Sequence, residues 1–176
     1  MVSTTFLNLN HEKQLKIQEA LVNEFSTHPL AEAQVAPIVK EAGIARGAFY
    51  KYFDDLTDAY HYMYGVAMKN IHMAITQEVR DGKFVPTFYL DQVKAFVDGV
   101  MNSRYRKLIE MHLTRNESLV GDQGGSQASK LSSREWAAMI LSHEVIKQIL
   151  IQPNDQAMIL HKFSEALNLL AGKGHN

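Results

Sequence analysis

The chain has 176 residues, the length of one ordinary domain or of a small module joined to a medium one. Apolar residues make up 46 % and charged ones 21 %, which excludes a disordered tail, a collagen and a membrane bundle. Eighteen Lys and Arg against nineteen Asp and Glu leave a net charge of −1, so any affinity for nucleic acid or anionic lipid has to come from a local patch. Asn10 is placed to cap a first helix over residues 11–25, where Ile17, Ala20, Leu21 and Phe25 recur at the spacing of a buried stripe. Val35, Ile38, Val39 and Ala42 predict a short helix ending at Gly43, a residue that accepts the positive φ of a helix C-terminus. Pro37 falls in its first turn, where the missing N–H costs nothing. Gly43-Ile44-Ala45 leads into a second short helix over residues 46–53.

Asp54 or Asp55 is suited to cap a longer helix over residues 56–79, which Asp81-Gly82-Lys83 breaks. Helices over residues 87–102 and 104–116 follow, then a segment from Gly121 to Ser126 with the composition of a loop. Ser132, with Glu135 three residues on, forms a capping box for a helix running to Ile151 and closed by Pro153. The last helix is expected to take Asn154 as its cap and to end at Gly172. There is no hairpin signal and no repeat, so the expected fold class is all-α.

Zero cysteines exclude disulfides, thiolate metal sites and a cysteine nucleophile. The opening residues carry no basic n-region and no apolar h-region, and no apolar run approaches the roughly 18 residues of a membrane span. A cytoplasmic protein with no membrane partner is expected. His143-Glu144 opens like a zinc-protease motif, but Lys147 stands where the second ligand belongs. No other His and carboxylate cluster has metal spacing, and no phosphate-cradling loop or nucleophile elbow occurs. Neither an enzyme nor a cofactor is expected.

Two short helices joined by a three-residue turn with a glycine form the helix-turn-helix pattern. Ala42 is small enough for the helices to cross closely, and Ile44 plugs the core. The second helix then projects into a major groove about 12 Å wide. On spacing alone, an ordinary corner between two helices of an α-protein explains it as well.

Gly47-Ala48-Phe49-Tyr50-Lys51-Tyr52-Phe53 resembles the recognition helix of the tetracycline-repressor family of regulators. The stretch from Ile17 to Phe25 resembles that family's first helix, and Val35 to Ala45 its second helix and turn. The resemblance covers about residues 11 to 60; the rest matches only in being helical. It implies an N-terminal DNA-binding domain over residues 1–56 and a helical effector-binding and dimerisation domain over 57–176. Carried over by position, Tyr50 and Tyr52 would donate their hydroxyls to phosphates, which positions the helix without reading sequence. Arg46 and Lys51 would meet guanine edges or phosphates, and small Gly47 and Ala48 would let the helix approach the bases. Lys13, Lys16 and Gln34 would serve the backbone from the flanking helices. The aromatics also read as packing for a small domain.

Three positions depart from the family pattern. Leu56 stands where a phosphate-binding lysine is usual, Gln34 where Ser or Thr is usual, and Gln14 where a base is usual, between Lys13 and Lys16. Residues 1–56 carry five Lys and Arg against seven Asp and Glu, net −2, although residues 43–53 hold two bases and no acid. Weak nonspecific binding and a shallow salt slope are expected.

In the helix over 132–151, Ala138, Leu141, Val145 and Ile149 form one stripe, with Met139, Ile146 and Leu150 beside it. That is wider than a helix needs to face a single core. Leu160, Phe163, Leu167 and Leu170 form a seam on the last helix. A four-helix interface between two copies is therefore expected at Leu141, Val145, Ile149, Leu160, Phe163 and Leu167; the alternative is a hairpin closing its own core. Met63, Met68, Met73, Met101, Met111, Tyr62, Tyr64 and Tyr105 suit the lining of an apolar pocket, and equally a plain core. The expected function is a dimeric regulator, repression being the commoner sign, that binds a palindromic operator in double-stranded DNA and is released by an unidentified small-molecule effector. The alternative is a helical protein-interaction module of the same fold with weakened DNA binding.

Overall fold

Asn10 accepts the Lys13 N–H at 2.8 Å and starts a helix as the sequence predicts, two residues longer at its far end than the apolar stripe requires. The computed structural model describes residues 2–72, 84–120 and 131–172. Its helices are α1 (Thr4–Leu7), α2 (His11–Thr27), α3 (Val35–Ala42), α4 (Arg46–Tyr52), α5 (Leu56–His72), α6 (Pro86–Met101), α7 (Arg106–Met111), α8 (Glu117–Val120), α9 (Ser133–Ile151) and α10 (Gln156–Leu170). A π-type turn, His112–Asn116, joins α7 to α8, and a 3-10 turn, Pro153–Asp155, precedes α10. Among the described residues there is no strand, and the fold is all-α. The expected helical stretch 73–79, the breaker at 81–83 and the loop from Gly121 to Ser126 lie outside the described residues.

Packing divides the chain into two units, Met1–Asn70 with Arg104–Gly121, and Ile71–Ser103 with Asp122–Asn176. In the first, α2 packs against α3 and α7, and Ile17, Leu21, Phe25, Ile38, Phe49, Phe53, Tyr60 and Met63 are fully enclosed. Each large apolar side chain so enclosed contributes about 1.5–3 kcal/mol. Asp55 accepts the Asp58 N–H at 2.7 Å, and Asp58 reaches back to the Asp54 N–H at 3.1 Å, which fixes the start of α5.

In the second unit α6, α9 and α10 enclose a core of Tyr89, Val93, Val97, Ala138, Val145, Ile149, Ile159, Phe163 and Leu167, with Leu141 and Leu160 packed against it. Four of the six residues expected at the dimer contact lie in this core. Val145, Ile149, Phe163 and Leu167 are spent inside the protomer, and Leu141 and Leu160 are half-buried beside them. The wide stripe of α9 serves two neighbours at once, α6 and α10, so its width reflects the protomer's own core. The cap of the last helix is corrected. Asn154 lies in the 3-10 turn that starts at Pro153, and Asp155 precedes α10 without a side-chain cap bond. The Ser132–Glu135 capping box forms as expected, and Gly172 follows α10 with φ 77°.

Candidate nucleic-acid interface

The turn between α3 and α4 is built from its residues upward. Gly43 takes φ 65°, where a side chain would be strained, and the Ile44 N–H closes the end of α3 on Val39 O at 3.0 Å. Ala42 is buried under the crossing, and Ile44 is half-buried. Phe49 and Phe53 are enclosed beneath α4, their rings 5.4 Å apart, so α4 is held from below and its opposite side is left to solvent.

Arg46, Gly47, Tyr50 and Lys51 are on that exposed side, and Ala48 is half-buried. Tyr50 is 50 % exposed with its ring edge-on to Phe49. The Arg46 guanidinium lies 5.9 Å from the Tyr50 ring centroid, with a long 3.4 Å contact to its hydroxyl. The two side chains share one patch and carry a base beside a phenol. Tyr52, expected to hold out its hydroxyl in the same way, is 5 % exposed and edge-on to Phe6. Its ring packs against Phe6.

The flanking residues are exposed but differ in their freedom. Lys13 is exposed, whereas Lys16 is paired with Glu12 at 2.9 Å, and the lysine holds that carboxyl below the usual carboxylate range. Gln34 is the N-cap residue of α3 and makes no side-chain cap bond. Its backbone N–H is taken instead by Glu24, buried in α2, at 2.8 Å. The same carboxylate lies 3.4 Å from His28 Nδ1. Glu24, which braces the start of α3, is a residue that sequence reasoning passed over, although an acid between Leu21 and Phe25 on a buried stripe signals a carboxylate with a duty. The other omission is α1, four residues with no period to read.

Among the described residues no group of three or more His, Asp or Glu is placed to hold a metal ion, and no helix is long and apolar enough to cross a membrane. What the patch offers is a guanidinium, an ammonium and a phenol above small residues, on a short helix that closely follows a tight turn. That arrangement fits the edges and phosphates of a duplex groove.

Comparison with known proteins bears on this segment and on the fold. Residues 17–56 match the family model described as bacterial regulatory proteins, tetR family. The fold is similar to that of a TetR family transcriptional regulator from Chloroflexus aurantiacus J-10-FL, at a TM-score of 0.56 and 17 % identity, covering 98 % of this chain and 97 % of that one. It is also similar to the fatty acid degradation regulator FadR from Bacillus halodurans (TM-score 0.51, 18 % identity, 91 % and 96 % covered). A TetR transcriptional regulator from Rhodococcus sp. RHA1 gives 0.50 at 18 % identity, with 94 % and 100 % covered. No curated protein matches in sequence.

Proposed function

We propose that this chain, whose N-terminal segment is of the tetR family and whose fold is that of TetR-like regulators, is a sequence-specific transcriptional regulator acting as a homodimer on a palindromic operator. DNA-binding regulation is what the segment and fold imply; the dimer, the palindrome and release by a small-molecule effector are the finer proposal. Repression is the expected sign. Residues 1–56 supply the DNA-binding part and 57–176 the effector and dimer part. The carrying observation is the exposed Arg46, Tyr50 and Lys51 on a helix fixed from below by Phe49 and Phe53.

Arg46 and Lys51 would read guanine edges or grip phosphates, Tyr50 would fix the helix on a phosphate, and Gly47 and Ala48 would admit close approach. Lys13, Lys16 and Gln34 would touch the backbone. One protomer's pair of short helices buries little surface, and two of them spaced about 34–36 Å apart combine their affinities. The face available for pairing is the exposed side of α9 and α10, where Trp136, Ile140, Ile151, Met158 and Leu169 are about half exposed or more. An effector acts by binding one separation of the two reading helices better than the other, with α5 as the element that tilts.

The test is selection of bound fragments from source-genome DNA at low salt, run beside a variant with Arg46, Tyr50 and Lys51 all changed to Ala. A palindrome enriched by the parent alone supports the reading; equal, unenriched recovery overturns it. An operator affinity unchanged by ligands that demonstrably bind overturns the effector half. The second reading, a protein-interaction module, is favoured by one observation: Lys16 is already paired with Glu12 in a segment of net −2.

A further inference from the structure

We infer that residues 3–14 form a clamp on the last turn of α4, with Ser3 as its positioning residue; the inference rests on α4 being the DNA-reading element. A seven-residue helix is far below the roughly 12–15 residues at which an isolated helix becomes even marginal. Its N-cap position is held by Ala45, which has no side-chain acceptor, so the first turn gains nothing there. Support has to come from the core beneath and from the other end.

A helix leaves its last four carbonyls without internal partners. In α4, Phe49 O takes the Phe53 N–H at 2.9 Å. Ser3 supplies donors to the last two, Lys51 O and Tyr52 O, from the far N-terminal side of α2. Its hydroxyl donates to Lys51 O at 2.7 Å, and its backbone N–H donates to Tyr52 O at 3.0 Å. The same hydroxyl oxygen accepts the Phe6 N–H at 3.2 Å and so starts α1.

Phe6 seats the clamp. It is fully enclosed, edge-on to Tyr52, with Phe53 and Tyr62 each 5.1 Å away between ring centroids. Gln14 closes the other end. Its amide nitrogen lies 2.9 Å from Leu7 O, 2.9 Å from Leu9 O and 3.3 Å from Phe6 O, tying the end of α1 to α2. Gln14, which departs from the basic residue usual there in the family pattern, is thus used to fasten α1. The clamped carbonyl belongs to Lys51 itself, one residue after Tyr50, so the clamp sets how the exposed patch of α4 is held against α2.

The full-length chain is compared with its Ser3→Ala, Ser3→Thr and Gln14→Met variants. The readouts are amide hydrogen exchange by NMR and preference for the selected operator over scrambled DNA. Ser3→Ala and Gln14→Met should each speed exchange of the Phe53 amide about threefold to tenfold, the size of one hydrogen bond lost. Exchange of the Leu21 amide, in the middle of α2 and in the same unit, should stay within about twofold, which excludes unfolding of that unit. Operator preference should fall by a similar factor, and Ser3→Thr, which keeps the donor, should behave as the parent. Unchanged Phe53 exchange in both variants overturns the clamp. Faster exchange with unchanged operator preference overturns its positioning role. A parent with no sequence preference at all overturns the reading of α4 instead, and the exchange data tell that failure from the others.

Discussion

The backbone N–H of Leu30, in the loop before α3, donates to the side-chain oxygen of Asn116 at 2.9 Å across 86 residues of sequence. Asn116 is fully buried where the π-type turn gives way to α8, and its amide nitrogen has no hydrogen-bond partner. Tyr60 and His112 meet beside it, hydroxyl to Nδ1 at 2.9 Å, with the Tyr64 ring stacked 3.9 Å from the imidazole. A buried donor left unpaired costs about 1–3 kcal/mol, so this amide gives back part of what its oxygen contributes. Asn116→Leu removes both effects. The thermal midpoint should move by no more than about 3 °C, while exchange of the Leu30 amide rises about tenfold or more. A Leu30 amide as protected as in the parent would mean that something other than Asn116 holds the loop.

Two glycines should respond in opposite directions. Gly65 lies inside α5, where a Cβ would meet nothing within 4 Å and the backbone is ordinary. Gly65→Ala should stabilise by about 0.5–1 kcal/mol, raising the thermal midpoint by about 2–4 °C. Gly43 has the same open space but a φ of 65°, so Gly43→Ala should cost about 1–2 kcal/mol. If both substitutions lowered the midpoint, Gly65 would be required by something outside the protomer, such as close approach of a second copy.

Helices α2, α3 and α4 of the N-terminal unit are legible in the sequence because their signals are local. Asn10 caps, Gly43 turns and the apolar spacing of Ile17 to Phe25 all act within a few residues of themselves. The α9 stripe was legible as apolar but not as to what covers it. A helical wheel shows which side of a helix is apolar, and only the packing shows that α6 and α10 already fill it. Tyr52 carries the same ambiguity, since a tyrosine beside Tyr50 gives no sign of which ring Phe6 will cover. Neither α1 nor the π-type turn has a sequence signature, one being too short for a period and the other a single extra residue in a helix.

The dimer face can be separated from the protomer core by two substitutions on one helix. Ile140 and Ile149 are both on α9, the first 49 % exposed and the second fully enclosed. Ile140→Asp should give a folded monomer, read by sedimentation together with unchanged helical circular dichroism. Ile149→Asp buries a charge and should cost roughly 3–5 kcal/mol, unfolding the second unit. A folded dimer retained by Ile140→Asp would move the interface away from this side of α9.

Tyr60 gives the chain an alkaline limit. Burial pushes its phenol up from 10.0 to about 12. Tyr64 is raised too, first by burial and then by the charges of Tyr60 and Glu117. A phenol kept protonated by the fold contributes stability that is fully present below its unfolded value of 10.0. That contribution falls as the pH rises from there through about 12. The unfolding free energy should therefore decline by up to about 2 kcal/mol over that window, and Tyr60→Phe should flatten the slope. An equally steep decline in Tyr60→Phe would place the titrating group elsewhere.

Glu12 restrains the one flanking lysine that has a partner. Its carboxylate takes Lys16 at 2.9 Å with both side chains largely exposed, and the lysine, by hydrogen bond first and charge second, keeps it ionised below the usual range. At neutral pH the carboxyl is ionised beside Lys16, so a phosphate competes with Glu12 for Lys16 and meets the acid's charge as well. Glu12→Gln removes both obstacles without altering the shape of α2. Operator affinity at low salt should rise about threefold to tenfold, and the slope of log affinity against log salt should steepen by up to about one per protomer. The thermal midpoint should not change measurably, because exposed pairs contribute little. Lys16→Ala made in the Glu12→Gln background should abolish the gain. If affinity and slope were the same in parent and Glu12→Gln, Lys16 would lie away from the phosphates, and the start of α2 would have no part in DNA contact.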